Sequence, residues 1–368
     1  MISIVHIADT HLDTPFRELP ASVAQARRQT IRRCFADALE QAGAQGVHAV
    51  LLPGDLFDNN GATGESVRLL SDVAARYPNT RFFVAPGNHD CLYGASPYRS
   101  LERPDNLYIF DSGRMERLDF EEFTVYGIGC LHENSDGQPL ADFRVEDPSR
   151  INLMCLHSQV QGFGGHAVYQ PVTLEQIAAS GLDYLALGHV HTCSGLRKSG
   201  NTYYAYPGTL VGRGFDETGE KGYLSGRVGK GVVELNFVES RAGRFETLEV
   251  DMTGVGSMLD VLSRVRGRIA GASPDLFLKL VLTGYRPPAL LLHTSAIRQE
   301  AAHLPFVKVV DRTRLQPDYE RLLGENTLTG LYLRQVLAAD ADEQIRERAL
   351  SLGLAALAGE ELTGFDDQ

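Results

Sequence analysis

Short apolar runs alternate with longer stretches of helical spacing over the first two thirds of the chain. ISIVHIAD (residues 2–9) is a brief strand-like run, and SVAQARRQTIRRCFADALEQAG (22–43) places apolar or small residues at helical intervals, with Gly43 as the predicted stop. VHAVLLPGD (47–55) reads as a buried strand, GESVRLLSDVAARY (64–77) as a helix and RFFVAPGNHD (81–90) as a strand again. This β-α-β-α-β order predicts parallel strands with helices on both faces. Further strands are predicted in FTVYGIG (123–129), INLMCLHS (151–158), DYLALGHVH (183–191) and TYYAYPG (202–208).

The pattern changes at about Arg244. RFETLEVDM, SMLDVLSRVRGRI, PDLFLKLVLTG, ALLLHTSAIRQEAAHL and FVKVVDR read as strand, helix, strand, helix and strand, a small α+β unit. The final stretch, LYLRQVLAADADEQIRERALSLGLAALAGEEL, carries leucines and alanines at helical spacing. The predicted division is therefore 1–243, 244–325 and 326–368.

In the first region, polar residues of ligand type stand at the C-terminal ends of the apolar runs. Asp9 and His11 end the first, Asp55 the second, Asn88 the third, His157 another, and His189 with His191 the next. Open α/β sheets bind ligands beyond the carboxyl ends of their strands, so five segments aim donors at one rim. Mixed oxygen and nitrogen donors suit Mn²⁺, Fe²⁺ or Zn²⁺ better than Ca²⁺ or bare Mg²⁺. Seven side chains are too many for one ion with an open position. They fit two ions if one carboxylate bridges.

Composition narrows the class. Hydrophobic residues at 43% and charged ones at 22% are those of a globular protein, and 368 residues allow two or three domains. No apolar run nears the roughly 20 residues of a membrane helix, which with a strand-like start after Met1 predicts a cytoplasmic protein without membrane contact. Five cysteines without CxxC spacing predict reduced thiols. The formal charge of −12 argues against bulk electrostatic coating of nucleic acid, but eight acidic and two basic side chains between Asp340 and Gln368 hold half of that excess. The body is only mildly acidic.

The ordered set DxH (Asp9, His11), GDxxD (Asp55, Asp58), GNHD (Asn88, His89), strand-end His157 and GHxH (His189, His191) resembles the calcineurin-like metallophosphoesterases. The resemblance covers roughly residues 1–240 and implies a two-sheet β-sandwich flanked by helices, with the small α+β capping domain and C-terminal helices added. It also implies two divalent ions, with Asp9, His11 and His191 at one, Asn88, His157 and His189 at the other, and Asp55 between them. Mn²⁺ is the first choice of metal, with Fe²⁺, Zn²⁺ or Mg²⁺ as alternatives. A two-metal site generates hydroxide for attack on phosphorus. His89, which holds no ion in this scheme, is the candidate to protonate the leaving oxygen, with Asp58 as the carboxylate that orients it.

GDLFDNN lacks the Arg-Gly continuation of the protein phosphatases. Together with HIADTHLDTPF and DYLALGHVHTCSGL…YYAYPGTLVGRGFDETGEKG it looks like the SbcD-type DNA repair exonucleases, within them the YhaO-like branch. That resemblance implies DNA as substrate, a homodimer, and an SbcC-like coiled-coil ABC ATPase docked on the C-terminal helices. Substrate contacts are expected from Arg213 in the GRGF loop and from His166 in the GFGGHAVY loop. The arginines of the first helix (Arg27, Arg28, Arg32, Arg33) are expected on a solvated face. Two other readings share the metals: a phosphodiesterase for small substrates such as cyclic nucleotides, and an inactive metal-binding scaffold subunit.

Overall fold

The computed structural model describes residues 1–59, 61–132, 137–163 and 169–359. His166, one of the expected substrate contacts, and the last acidic residues of the chain lie outside them. In chain order the strands are β1 (Ile2–His6), β2 (Ala49–Leu52), β3 (Arg81–Val84), β4 (Leu107–Ile109), β5 (Glu116–Asp119), β6 (Phe123–Ile128), β7 (Ile151–His157), β8 (Tyr184–Gly188), β9 (Arg197–Ser199), β10 (Thr202–Ala205), β11 (Gly222–Gly229) and β12 (Val232–Glu239). Helices α1 (Ala21–Ala44), α2 (Gly64–Arg76) and α3 (Leu174–Ala179) join them.

These strands form two six-stranded mixed sheets, ordered β12-β11-β1-β2-β3-β4 and β5-β6-β7-β8-β10-β9. β1 to β4 run parallel, as do β6, β7, β8 and β10. Alternation along each strand sorts the layers. Ala49 and Leu51 of β2 face Leu153 and Cys155 of β7 and Tyr184 and Ala186 of β8 in a core between the sheets. Val50 and Leu52 turn outward onto Ile31, Phe35 and Leu39 of α1 and Val67 and Leu70 of α2. Met154, Leu156, Leu185 and Leu187 turn to the opposite outer face, toward Ile177 of α3.

The helices of the first half thus cover one face of their sheet, and a second sheet covers the other, where the bare β-α-β pattern predicts helices on both. Fully apolar strands demand cover on two sides without specifying what supplies it. Gly43, the predicted stop, does not end α1; a Cβ there would lie 2.2 Å from Cγ of Tyr77, so glycine at 43 lets α2's end close against the helix, and the left-handed residue just past the end is Gly46 (φ 61°). Arg27 also departs from expectation. Rather than facing solvent it is buried, donating to the carbonyls of Gly212 (2.7 Å), Gly243 (3.2 Å) and Ala242, with its guanidinium over the rings of Phe245 and Phe277. Burial lowers its pKa to about 10, and it stays charged at neutral pH.

The rest of the chain supplies β13 (Phe245–Asp251), α4 (Met258–Ile269), β14 (Phe277–Thr283), β15 (Tyr285–Arg286), α5 (Thr294–Glu300), β16 (Phe306–Asp311), β17 (Arg314–Leu315), α6 (Tyr319–Gly324), α7 (Leu328–Ala338) and α8 (Glu343–Leu357). By compactness the chain divides into Met1–Leu248 with Gly271–Leu280 and Ala301–Lys308, and Glu249–Ala270 with Val281–Glu300 and Val309–Gln368. In the second unit, α4 opens on a capping box made by Ser257 and Asp260, and the C-terminal segment of helical spacing forms α7 and α8, with Tyr332 of α7 donating to the carbonyl of Ala349 in α8 (2.7 Å). The five cysteines are free. Among the described residues, no helix is long and apolar enough to cross a membrane.

Candidate metal centre

The site is built where parallel strands stop. After β1 and β2 the two segments zip together: Asp9 N–H donates to the carbonyl of Gly54, His11 to that of Asp55, Leu12 to that of Leu56, and Asp58 back to that of Leu12. To turn their side chains inward here, Asp9 (φ 49°), His11 (φ 47°), Asp55 (φ 51°) and His189 (φ 103°) adopt left-handed backbone. Such strain costs about 1–3 kcal/mol per residue and collects at functional sites. Gly87 is required by close approach, since a Cβ would lie 2.3 Å from Oδ1 of Asp55.

Asp90 locks the loops together. Its buried carboxylate accepts from Gly87 N (2.7 Å), Asp55 N (3.3 Å), Leu56 N (2.8 Å), Phe57 N (3.2 Å) and the Tyr98 hydroxyl (2.6 Å). Burial, with the Asp55 charge nearby, still holds its pKa above the ordinary carboxylate value.

The donor set is decided by tautomers. His157 gives its Nδ1 hydrogen to the carbonyl of Pro53 (3.0 Å), so in the neutral ring Nε2 is a lone pair. That lone pair lies 2.9 Å from Oδ1 of Asn88 and 3.3 Å from Oδ2 of Asp55, two further acceptors. His191 directs Nδ1 at Oε1 of Glu217 (2.8 Å), and its Nε2 then meets Nε2 of His11 at 3.3 Å. Asp9, His11 and His191 form one compact group of ligand atoms, and Asp9, Asp55 and His157 another. Converging acceptors repel unless a cation stands among them: the proton His157 holds on Nε2 serves in the metal-free protein, and a metal ion can take its place. The residues therefore fit divalent metal.

The electrostatics agree. Burial opposes charge on His157, yet the Asp55 carboxylate beside it raises its pKa to about 9, a measure of how strongly this place favours a cation. Burial likewise opposes charge on Asp55, but His157 and His11 hold its carboxyl far below the usual range. Burial brings Asp9 up to about 6 and His11 and His189 down to about 4, leaving both imidazoles neutral and able to ligate at pH 7. His189 also donates its main-chain N–H to both Asp9 oxygens (3.0 and 3.1 Å).

A comparison of the sequence with family models matches residues 2–193, a little over half of the chain, to the calcineurin-like phosphoesterases. The chain belongs to this family. It is accordingly a metal-dependent phosphoester hydrolase of a family that binds two divalent metals. Similar proteins include the uncharacterized metallophosphoesterase YhaO of Bacillus subtilis, 28% identical over 79% of this chain and 74% of that one. The DNA double-strand break repair protein Mre11 of Methanopyrus kandleri is 25% identical over 74% of this chain and 66% of its own length. The SbcD subunit of the nuclease SbcCD of Rhodobacter capsulatus is 28% identical over 37% of this chain and 29% of its own. The chain thus spans about three quarters of YhaO but under two thirds of the other two.

His89, Asp58 and Arg213 lie differently from what the motifs suggest, and His89 and Asp58 form with His11 a third compact group of ligand atoms. His89 stands at the exposed rim, its ring edge-on to His11 with centroids 4.8 Å apart and its main-chain N–H on Oδ1 of Asp55 (2.9 Å). It is Asp58's carbonyl oxygen, 3.0 Å from Nδ1 of His89, that orients this ring. The Asp58 carboxylate instead meets Thr14 Oγ1 (3.1 Å), His11 Nδ1 (3.4 Å) and Arg213 Nη1 (3.2 Å). Arg213 is equally committed, since Nε and Nη2 donate to Oε1 of Glu217 at 3.0 and 2.7 Å. A doubly paired guanidinium has little charge left for a phosphate, so Arg213 is better read as a brace.

Two residues here carry no sequence signal. Glu217 is buried and joins His191 to Arg213, and despite burial these partners hold its pKa well below the ordinary value. It is one of several acids in FDETGEKG, and only its contacts set it apart. Tyr169 stacks on His189 (5.3 Å, 27°) and meets His157 edge-on.

Proposed function

We propose that this protein is a DNA nuclease that hydrolyses phosphodiesters with two divalent ions, Mn²⁺ first among them, in DNA repair. In this reading Asp9, His11 and His191 hold one ion, Asn88, His157 and His189 the other, and Asp55 is shared. The observation that carries it is the convergence of His157 Nε2, Asn88 Oδ1 and Asp55 Oδ2 within about hydrogen-bond distance, a cluster that holds a proton on His157 in the metal-free protein and offers three ligand atoms to a metal once that proton leaves. Bound metals supply an activated water and neutralise charge on the phosphate oxygens.

The chain's own groups do the rest. Asp90 and the Gly87 turn hold Asn88 and His89 over Asp55, and Glu217 fixes the tautomer of His191. His89, whose Nδ1 hydrogen is given to the Asp58 carbonyl, presents Nε2 at the rim and protonates the departing oxygen. DNA is favoured as substrate by likeness to proteins named for break repair and for a nuclease complex. The proposal also includes residues 244–325 as a cap, homodimerisation in a cytoplasmic setting, and residues 326–368 as the docking segment for an SbcC-like ATPase. Exposed Leu328, Leu331, Leu337 and Ile345 on α7 and α8 support docking.

The test is Mn²⁺-dependent cleavage of single- and double-stranded DNA beside bis-p-nitrophenyl phosphate. Both kinds of substrate should be cut, and His89→Ala should lower the rate by about 10²–10⁴ with metal content retained. Hydrolysis of the small ester alone would shift the reading to a small-substrate phosphodiesterase. Inertness toward both with metal bound would leave a scaffold.

A further inference from the structure

A cleft of about 620 Å³ opens beside the metal centre and shares Asp58 and Arg213 with it. Its far wall is formed by Phe215, Lys279, Lys308 and Arg17. Phe215 is half-buried, steadied edge-on by Phe245 at 5.1 Å, and Lys279 Nζ stands 5.9 Å from its centroid. Among the described residues, neither Lys279 nor Arg17 has a carboxylate within ion-pair distance, and Lys308 has only an exposed pair with Glu18 (3.0 Å). Exposed pairs are worth little and yield readily to a stronger anion. The lining also holds Glu18, Asp58, Asp216 and Glu217, but Asp58 and Glu217 are taken up by Arg213 and Glu18 by Lys308, so the cations without an ion pair among the described residues are Lys279, by the Phe215 ring, and Arg17, which with that aromatic face suit an anionic, ring-bearing ligand.

Resting on the nuclease reading, we infer that this cleft holds unpaired strand beyond the scissile phosphate. A base stacks on Phe215, and backbone phosphates sit at Lys279 and Lys308. Stacking platforms beside basic residues take single strands without reading sequence. Arg213 and Asp58, paired with each other, form the partition between this subsite and the metals. The cleft therefore distinguishes a polynucleotide from a small phosphodiester, which reaches the metals without touching it.

The test uses the full-length protein and a fluorescent single-stranded 12-mer. Binding is read by anisotropy in EDTA, where no hydrolysis runs, and turnover with Mn²⁺ as the ratio of kcat/KM on the 12-mer to that on bis-p-nitrophenyl phosphate. Lys279→Glu with Lys308→Glu should raise Kd about tenfold, flatten the slope of log Kd against log salt by about 0.7 per lost contact, and lower the ratio. Phe215→Leu keeps apolar packing but removes the stacking face, and should raise Kd severalfold with the salt slope unchanged. Lys198→Glu, on β9, is the control. A Kd within twofold of wild type in all the cleft variants, or an equal rise from the control, overturns the subsite while leaving the nuclease reading standing if wild type cuts the 12-mer. Wild type that hydrolyses only the small ester overturns both.

Discussion

Replacing Asp90 by alanine tests whether one carboxylate ties the catalytic loops together. Four amides and the Tyr98 hydroxyl would lose their acceptor at once in a place where water cannot replace it. Two of the amide contacts, at 2.7 and 2.8 Å, and the hydroxyl at 2.6 Å are short enough to count as strong; the two beyond 3.1 Å are weaker. Taking roughly 1.5 kcal/mol for each strong contact and about half for each weak one gives about 6 kcal/mol gross. Removing the buried carboxylate also relieves its own desolvation, visible in its raised pKa, so about 4 kcal/mol should be lost net. For a domain of this size that is a fall in Tm of very roughly 8–16 °C. Differential scanning fluorimetry and urea titration in EDTA would measure it. Asp90→Asn, which keeps one acceptor oxygen, should lose about half as much. Tyr98→Phe should cost about 1–1.5 kcal/mol alone and close to nothing in the Asp90→Ala background, because the cycle isolates their bond. A loss under about 1 kcal/mol for Asp90→Ala, or additive Tyr98 and Asp90 effects, would refute the carboxylate as the common anchor.

His157 should release its proton when metal binds. Its metal-free pKa near 9 lies above its ordinary value, so the ion pair with Asp55 stabilises the fold fully below about pH 6.5 and fades as pH rises through 9; calorimetry of Mn²⁺ binding in buffers of different ionisation heat should find about one proton released at pH 7 and fewer above pH 9. Glu217→Ala should weaken Mn²⁺ binding by about 10–100-fold, because His191 loses the acceptor that fixes its tautomer, while Glu217→Gln, which keeps an acceptor, should weaken it less. Arg27→Ala should destabilise the protein by about 3–5 kcal/mol in denaturant titration, since three buried carbonyls and two phenyl faces lose their partner; a change below 1 kcal/mol would put the guanidinium in solvent after all.

The donors that converge at this centre stand out in the linear chain for a physical reason. A parallel strand must be apolar along its length and can turn polar only where it leaves the sheet, so Asp9, Asp55, Asn88, His157 and His189 mark their own positions at strand ends. The parallel strands β1, β2, β3, β6, β7, β8 and β10 and most helices were visible by the same alternation and spacing, whereas the antiparallel pair β11 and β12 and the short strands β4, β5 and β9 were not predicted. What periodicity did not specify was what covers the second face of the parallel strands, a helix layer or another sheet, because both bury an apolar surface equally well.

The parts decided only in three dimensions are those whose chemistry depends on a neighbour. Arg27 looks solvated on a helix full of charge, yet the closing of 212 and 242–243 over it supplies three carbonyls. Asp58 stands at the right distance along the chain to hold His89 by its carboxylate, but Arg213 and Thr14 reach that group and the carbonyl does the holding. Glu217 has no local pattern at all, and becomes legible only when the β10–β11 connection folds it against His191. Residue types and strand ends, set by local sequence, determined which donors exist; their tautomers, charge states and partners arise from contacts between segments far apart in the chain, which no local pattern encodes.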